Sequence, residues 1–69
     1  MCNSELTDSL REQVRDMMKH TSELRLKFND LQEEFREGNL DEATMHELNR
    51  AVHQIEGDAA GFEQLAESA

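Results

Sequence analysis

Residues 24–55 read LRLKFNDLQEEFREGNLDEATMHELNRAVHQI, and the spacing of their apolar side chains decides the fold. Before Gly38-Asn39, Leu24, Phe28, Leu31 and Phe35 recur at steps of three and four; after it, Met45, Leu48, Val52 and Ile55 do the same. That is the heptad seam along which one helix lies against another, as in a coiled coil. The pattern extends outward. It takes in Leu10, Val14, Met17 and Thr21 on one side, and Ala59, Phe62, Ala66 and Ala69 on the other. Gly38 suits the left-handed position that closes a helix, and Asn39 or Asp41 can cap the next. So short a connection implies antiparallel neighbours. The sequence predicts an all-α fold, an antiparallel two-helix hairpin forming a single domain over residues 1–69. The expected parts are a helix over about 8–37, a turn over 38–41 and a helix over about 42–67.

Ser4, Thr7 or Ser9 can cap the first helix, and Ser9 with Glu12 has capping-box spacing. In the second, Gly57 and Gly61 each cost about 1 kcal/mol relative to Ala. That marks a weak point near residues 57–61, although the seam runs through Ala59 and Phe62 without a skip. Folding at the turn sets Phe35 against Met45, Leu31 against Leu48, Phe28 against Val52 and Leu24 against Ile55. Thr21 then meets Ala59, Met17 meets Phe62, and Val14 meets Ala66. These layers are bulky near the turn and thin toward the termini. Two helices bury only one stripe each, so the far side of the seam stays wet. The expected remedy is association, as a homodimeric four-helix bundle or by docking on a different protein. Met18, Leu26, Ala59, Phe62 and Leu65 are the apolar residues expected at that contact.

The chain carries a net charge of −9 over 69 residues. A phosphate binder gains affinity by releasing counterions through Lys and Arg, so direct nucleic-acid binding is disfavoured, and anionic membrane surfaces with it. The three Phe residues lie on the seam and there is no Trp or Tyr, which leaves no aromatic for base stacking. Charge is uneven: residues 1–37 hold 9 acidic and 6 basic side chains, residues 38–69 hold 7 acidic and 1 basic. The lone Cys2 excludes an internal disulfide framework. No apolar run is long enough to span a bilayer and no export signal opens the chain, so it reads as cytoplasmic.

Chemistry-bearing constellations are scarce. His46 and His53 are seven residues apart, whereas chelation from one helix prefers a four-residue step, and Arg50 stands between them. No metal or other cofactor is expected, and the three histidines read as surface residues. Glu33-Glu34, Asp41-Glu42 and Glu56 with Asp58 are acidic pairs without an obvious cleft to shift their pKa values. No phosphate loop or nucleophile elbow is present, and Cys2 has no neighbouring base. The chain reads as non-enzymatic.

Residues 52–62 read VHQIEGDAAGF, which resembles the histidine phosphotransfer domain motif of a His followed by an apolar residue two positions on and a small Gly four positions on. The resemblance covers residues 38–62 and implies a four-helix fold, with His53 as phosphoacceptor, Gly57 leaving room for a response regulator, and Ile55, Ala59 and Phe62 packed inside. Glu56 stands where that family usually has Lys, and the motif lies too close to the chain's end for one chain to complete four helices.

The reading preferred on these grounds is a small acidic protein that acts by binding another protein. Phage and mobile-element inhibitors are often of this kind. Glu42, Glu47, Glu56, Asp58, Glu63 and Glu67 on the second helix are the expected contact with a basic, nucleic-acid-handling partner. The alternative is an adaptor or chaperone using the apolar seam, which resembles the small helical chaperones of bacterial secretion systems in size and hairpin form only.

Overall fold

The computed structural model describes residues 2–69, which form two helices packed side by side, α1 (Asn3–Glu37) and α2 (Glu42–Ser68). The pair makes a rod with Cα extents of 53 × 14 × 12 Å. Helix α1 starts at Asn3, earlier than the expected residue 8, because no Pro or Gly interrupts the first turns. Cys2 occupies the N-cap position without a side-chain cap bond, so neither Ser4 nor Thr7 nor Ser9 serves as the cap. Thr7 Oγ1 instead donates back to Asn3 O at 2.8 Å.

The turn is fixed by backbone geometry. Gly38 adopts φ 70°, ψ 27°, the left-handed conformation that costs a side-chain-bearing residue about 1–2 kcal/mol. Gly38 N donates to Phe35 O and Asn39 N to Glu34 O, the paired bonds of a Schellman closure. Asp41 then caps α2, its side chain accepting from Ala43 N at 3.0 Å. Glu34 joins the two helices: one carboxylate oxygen accepts from Asp41 N at 2.7 Å and the other from the Thr44 hydroxyl. Helix α2 runs unbroken through Gly57 and Gly61.

The helices are antiparallel, with His20 opposite Asp58 and Glu34 opposite Thr44. They are rotated about their axes relative to the expected seam. Position by position along α1, the side turned to α2 carries Gln13, Met17, His20, Leu24, Lys27, Leu31 and Glu34, all at least half-buried. On α2 it carries Thr44, Leu48, Ala51, Ile55, Asp58, Phe62 and Leu65. Ala51, Thr44 and Asp58 are the most enclosed, at 6, 8 and 8% exposure. Met17, Leu24, Leu31, Leu48, Ile55 and Phe62 keep their expected interior place. The layers of Val14 with Ala66, Thr21 with Ala59, and Phe35 with Met45 do not: all six residues are exposed. Phe28 is exposed too, beside a half-buried Val52. The reason is geometric. The apolar stripe of α1 is two columns wide; the polar column Gln13, His20, Lys27 and Glu34 takes one of the places that α2 covers, so the column Val14, Thr21, Phe28 and Phe35 is left facing outward.

Candidate functional site

The hairpin has two unlike broad faces and a polar ladder between its helices. The ladder comes from the α1 column Gln13, His20, Lys27, Glu34, spaced by sevens. Gln13 Nε2 donates to Asp58 O at 2.9 Å, and His20 Nδ1 donates to Asp58 Oδ2 at 2.6 Å. Lys27 Nζ donates to Glu47 Oε2 at 2.8 Å. That hydrogen bond and the attraction of opposite charges raise the Lys27 pKa above its ordinary 10.5 and lower that of Glu47 below 4.5. No buried side-chain nitrogen or oxygen lacks a partner among the described residues. His20 was expected on the surface; it is a seam residue instead, and Asp58 is the reason. A search for polar residues facing one another across the hairpin, one column from the apolar seam, would have found this pair and the Glu34–Thr44 pair.

One broad face is polar. Its grooves are lined by Ser9, Glu12, Gln13, Asp16, Gln64 and Ser68 toward the termini, and by Glu23, Lys27, Glu47, Arg50 and Gln54 nearer the turn. The other face is apolar. Its floor is Leu10, Met17, Leu24 and Leu31 with Leu48, Ile55 and Phe62, and its rails are Val14, Thr21, Phe28 and Phe35 on α1 and Met45, Val52, Ala59 and Ala66 on α2. Phe35 is 60% exposed, Met45 48% and Phe28 47%. Large side chains this open, in one contiguous strip, mark a surface built to be covered. Its two ends differ in relief. Near the termini it is recessed, with a groove between the helices lined by Leu6, Leu10, Phe62, Leu65, Ala66 and Ala69, and a second groove of α1 residues alone, Thr7, Leu10, Arg11, Val14, Arg15 and Met18, runs along its border. Near the turn Phe35, Leu40 and Met45 project.

The borders of the apolar face carry opposite charge. Seven-residue spacing puts Arg11, Met18, Arg25 and Gln32 along the α1 border and Glu42, Asn49, Glu56 and Glu63 along the α2 border, all exposed. The acidic residues expected to meet a partner therefore separate. Glu42, Glu56, Glu63 and Glu67 are exposed along one flank of α2. Glu47 is half-buried against Lys27, and Asp58 lies between the helices against His20 rather than on the flank. The expected apolar contacts separate as well. Met18 borders the apolar face and Ala59, Phe62 and Leu65 belong to it or to its grooves, whereas Leu26 is exposed on the outer side of α1.

His53 is exposed, with Nδ1 3.5 Å from Glu56 Oε2, and His46 Nε2 lies 3.4 Å from Glu42 Oε1. Among the described residues no three His, Cys, Asp or Glu side chains converge as a metal site would require. No helix among them is long and apolar enough to cross a membrane. Comparison with family models, with curated proteins and with solved structures finds no match to this chain.

Proposed function

We propose that this chain is a non-enzymatic protein-binding module of the cytoplasm. In this reading its apolar face is closed by the helices of a second copy, giving a four-helix bundle. Its acidic flank occupies a basic site on a nucleic-acid-handling protein, as an inhibitor or antagonist. The observation that carries the reading is the pairing of the two surfaces: an open apolar strip bordered on one side by Glu42, Glu56 and Glu63. An apolar strip gives area and an adjoining charged edge selects the partner and speeds encounter.

The test is parallel capture from the native cell with three baits: the unmodified protein, Glu42→Lys/Glu56→Lys/Glu63→Lys, and Phe28→Glu/Phe35→Glu. A basic nucleic-acid-handling protein that is lost with the charge reversal and with added salt supports the antagonist reading. Indifference of every captured protein to charge reversal and to salt overturns it. A partner lost only with the Phe variant supports the adaptor reading, which the openness of Met18 at 67% and the adjoining groove favour. Phosphotransfer through His53 is the third reading, supported by the exposure of that ring. It is weakened by Glu56, whose carboxylate 3.5 Å from the ring opposes an incoming phosphoryl group. A labile phosphate formed from acetyl phosphate and lost in His53→Ala would establish it.

A further inference from the structure

The relief of the apolar face specifies how two copies meet. We infer that the chain forms a head-to-tail dimer, the turn end of each hairpin seated on the terminal end of the other, which rests on the self-association proposed above. The face measures 53 × 14 Å between Cα limits, a footprint on the order of 700 Å². A specific interface of standard size takes roughly 600–1,000 Å² from each partner, and one such face falls within that range. A second copy also brings the same apolar chemistry, with its own strip in need of cover.

Two two-fold arrangements can close the strip. Head-to-head places Phe35 and Met45 of both copies in one layer and Thr21 and Ala59 of both in another. The bundle would then be wedged apart at the turn and hollow toward the termini, and packed interiors tolerate neither well. Head-to-tail places Phe35 and Met45 over Val14 and Ala66 of the second copy, and Phe28 and Val52 over Thr21 and Ala59. Each layer then combines bulky with small side chains, so the four helices stay evenly spaced. The projecting Phe35, Leu40 and Met45 enter the recess lined by Leu10, Ala66 and Ala69.

Charge separates the same two arrangements. Head-to-head lays the α1 border over the α2 border, Arg25 near Glu56 of the second copy. Head-to-tail lays α1 on α1 and α2 on α2, so like borders meet and Glu56 approaches its own symmetry mate. Exposed pairs of this kind contribute little and are screened, while four filled layers contribute much more, so packing decides. The consequence is functional: the glutamates of both α2 helices join into one acidic flank with twice the charge of a single chain over nearly the same length.

Cys2, exposed and the only cysteine, lets the intact chain report its own arrangement. Light scattering and pulsed electron–electron spin resonance on the Cys2-labelled protein form the test. The same measurements on Cys2→Ser/Asn39→Cys, labelled at the turn, provide the check. In this register head-to-tail places the Cys2 labels about 68 Å apart and the Asn39 labels about 44 Å apart at 1.5 Å per helical residue, and added salt tightens the dimer, by up to about fivefold between low and physiological ionic strength. A dimer with both label pairs within about 25 Å, two helix diameters, and weakened by salt overturns this arrangement while leaving self-association standing. A monomer at every concentration overturns both. Phe35→Glu should abolish the dimer while keeping the helical circular dichroism; a dimer that survives it uses another surface and overturns the inference.

Discussion

At the scale of single residues, His20 and Asp58 stand out because they place a polar pair where Leu or Ala would be expected. The imidazole is 22% exposed and the carboxylate 10%, and the bond between them is 2.6 Å. Losing one member leaves the other half-buried without its partner. Asp58→Leu should destabilise the hairpin by about 1–3 kcal/mol, whereas His20→Leu/Asp58→Leu should lose less than the single changes His20→Leu and Asp58→Leu together. Urea unfolding of the four proteins measures this, and strict additivity would show that the pair is not coupled. Lys27 and Glu47 give a pH signature. The lowered Glu47 pKa contributes stability above its ordinary 4.5 that fades as pH falls through the depressed value. The raised Lys27 pKa contributes stability below 10.5 that fades as pH rises through the elevated one. The stability lost in Lys27→Gln should therefore be full at neutral pH and vanish at both extremes. A difference that is unchanged in acid would count against the pairing. The Lys27–Glu47 pair was not legible in the sequence. Each is ordinary on a helix surface, and only the rotation of α1 against α2 brings them together.

At the scale of the helix, α2 carries two interior glycines that the sequence treats alike and the fold does not. A Cβ on Gly57 would meet nothing within 4 Å, so Gly57→Ala should stabilise α2 by about 1 kcal/mol. A Cβ on Gly61 would lie 2.5–2.8 Å from the Gln13 amide group and displace it from Asp58 O. Gly61→Ala should therefore gain little or nothing, the helix preference being offset by the lost bond. Thermal unfolding compares the two, and equal gains would show that Gln13 moves aside without cost. Gly57→Ala also bears on phosphotransfer, because a more stable hairpin that takes up phosphate poorly from a regulator would point to Gly57 as the clearance for that partner. The helical nature of both segments, and Gly38 as the closing residue, could be read from spacing alone. The α1 start could not, since three candidate caps were each plausible and the helix extends past all of them.

At the scale of the whole molecule, the hairpin is an amphipathic plank, apolar on one broad face and polar on the other. If a second copy covers the apolar face, the midpoint of thermal unfolding should rise with protein concentration. Phe28→Glu/Phe35→Glu should remove that dependence, and a midpoint that is flat for the unmodified chain would argue for a different occupant. The sequence by itself determined the two helices, their turn, their antiparallel course and the surplus of apolar side chains over what one neighbour can hide, because these follow from local spacing and from counting. Only the tertiary structure decided which column of that surplus faces inward. A helix pair can rotate about its axes by one column without changing its spacing, and the choice rests on contacts between residues distant in sequence: Asp58 with His20 and Gln13, Glu47 with Lys27, Thr44 with Glu34. Those contacts draw the polar column in and turn Phe28, Phe35 and Met45 out.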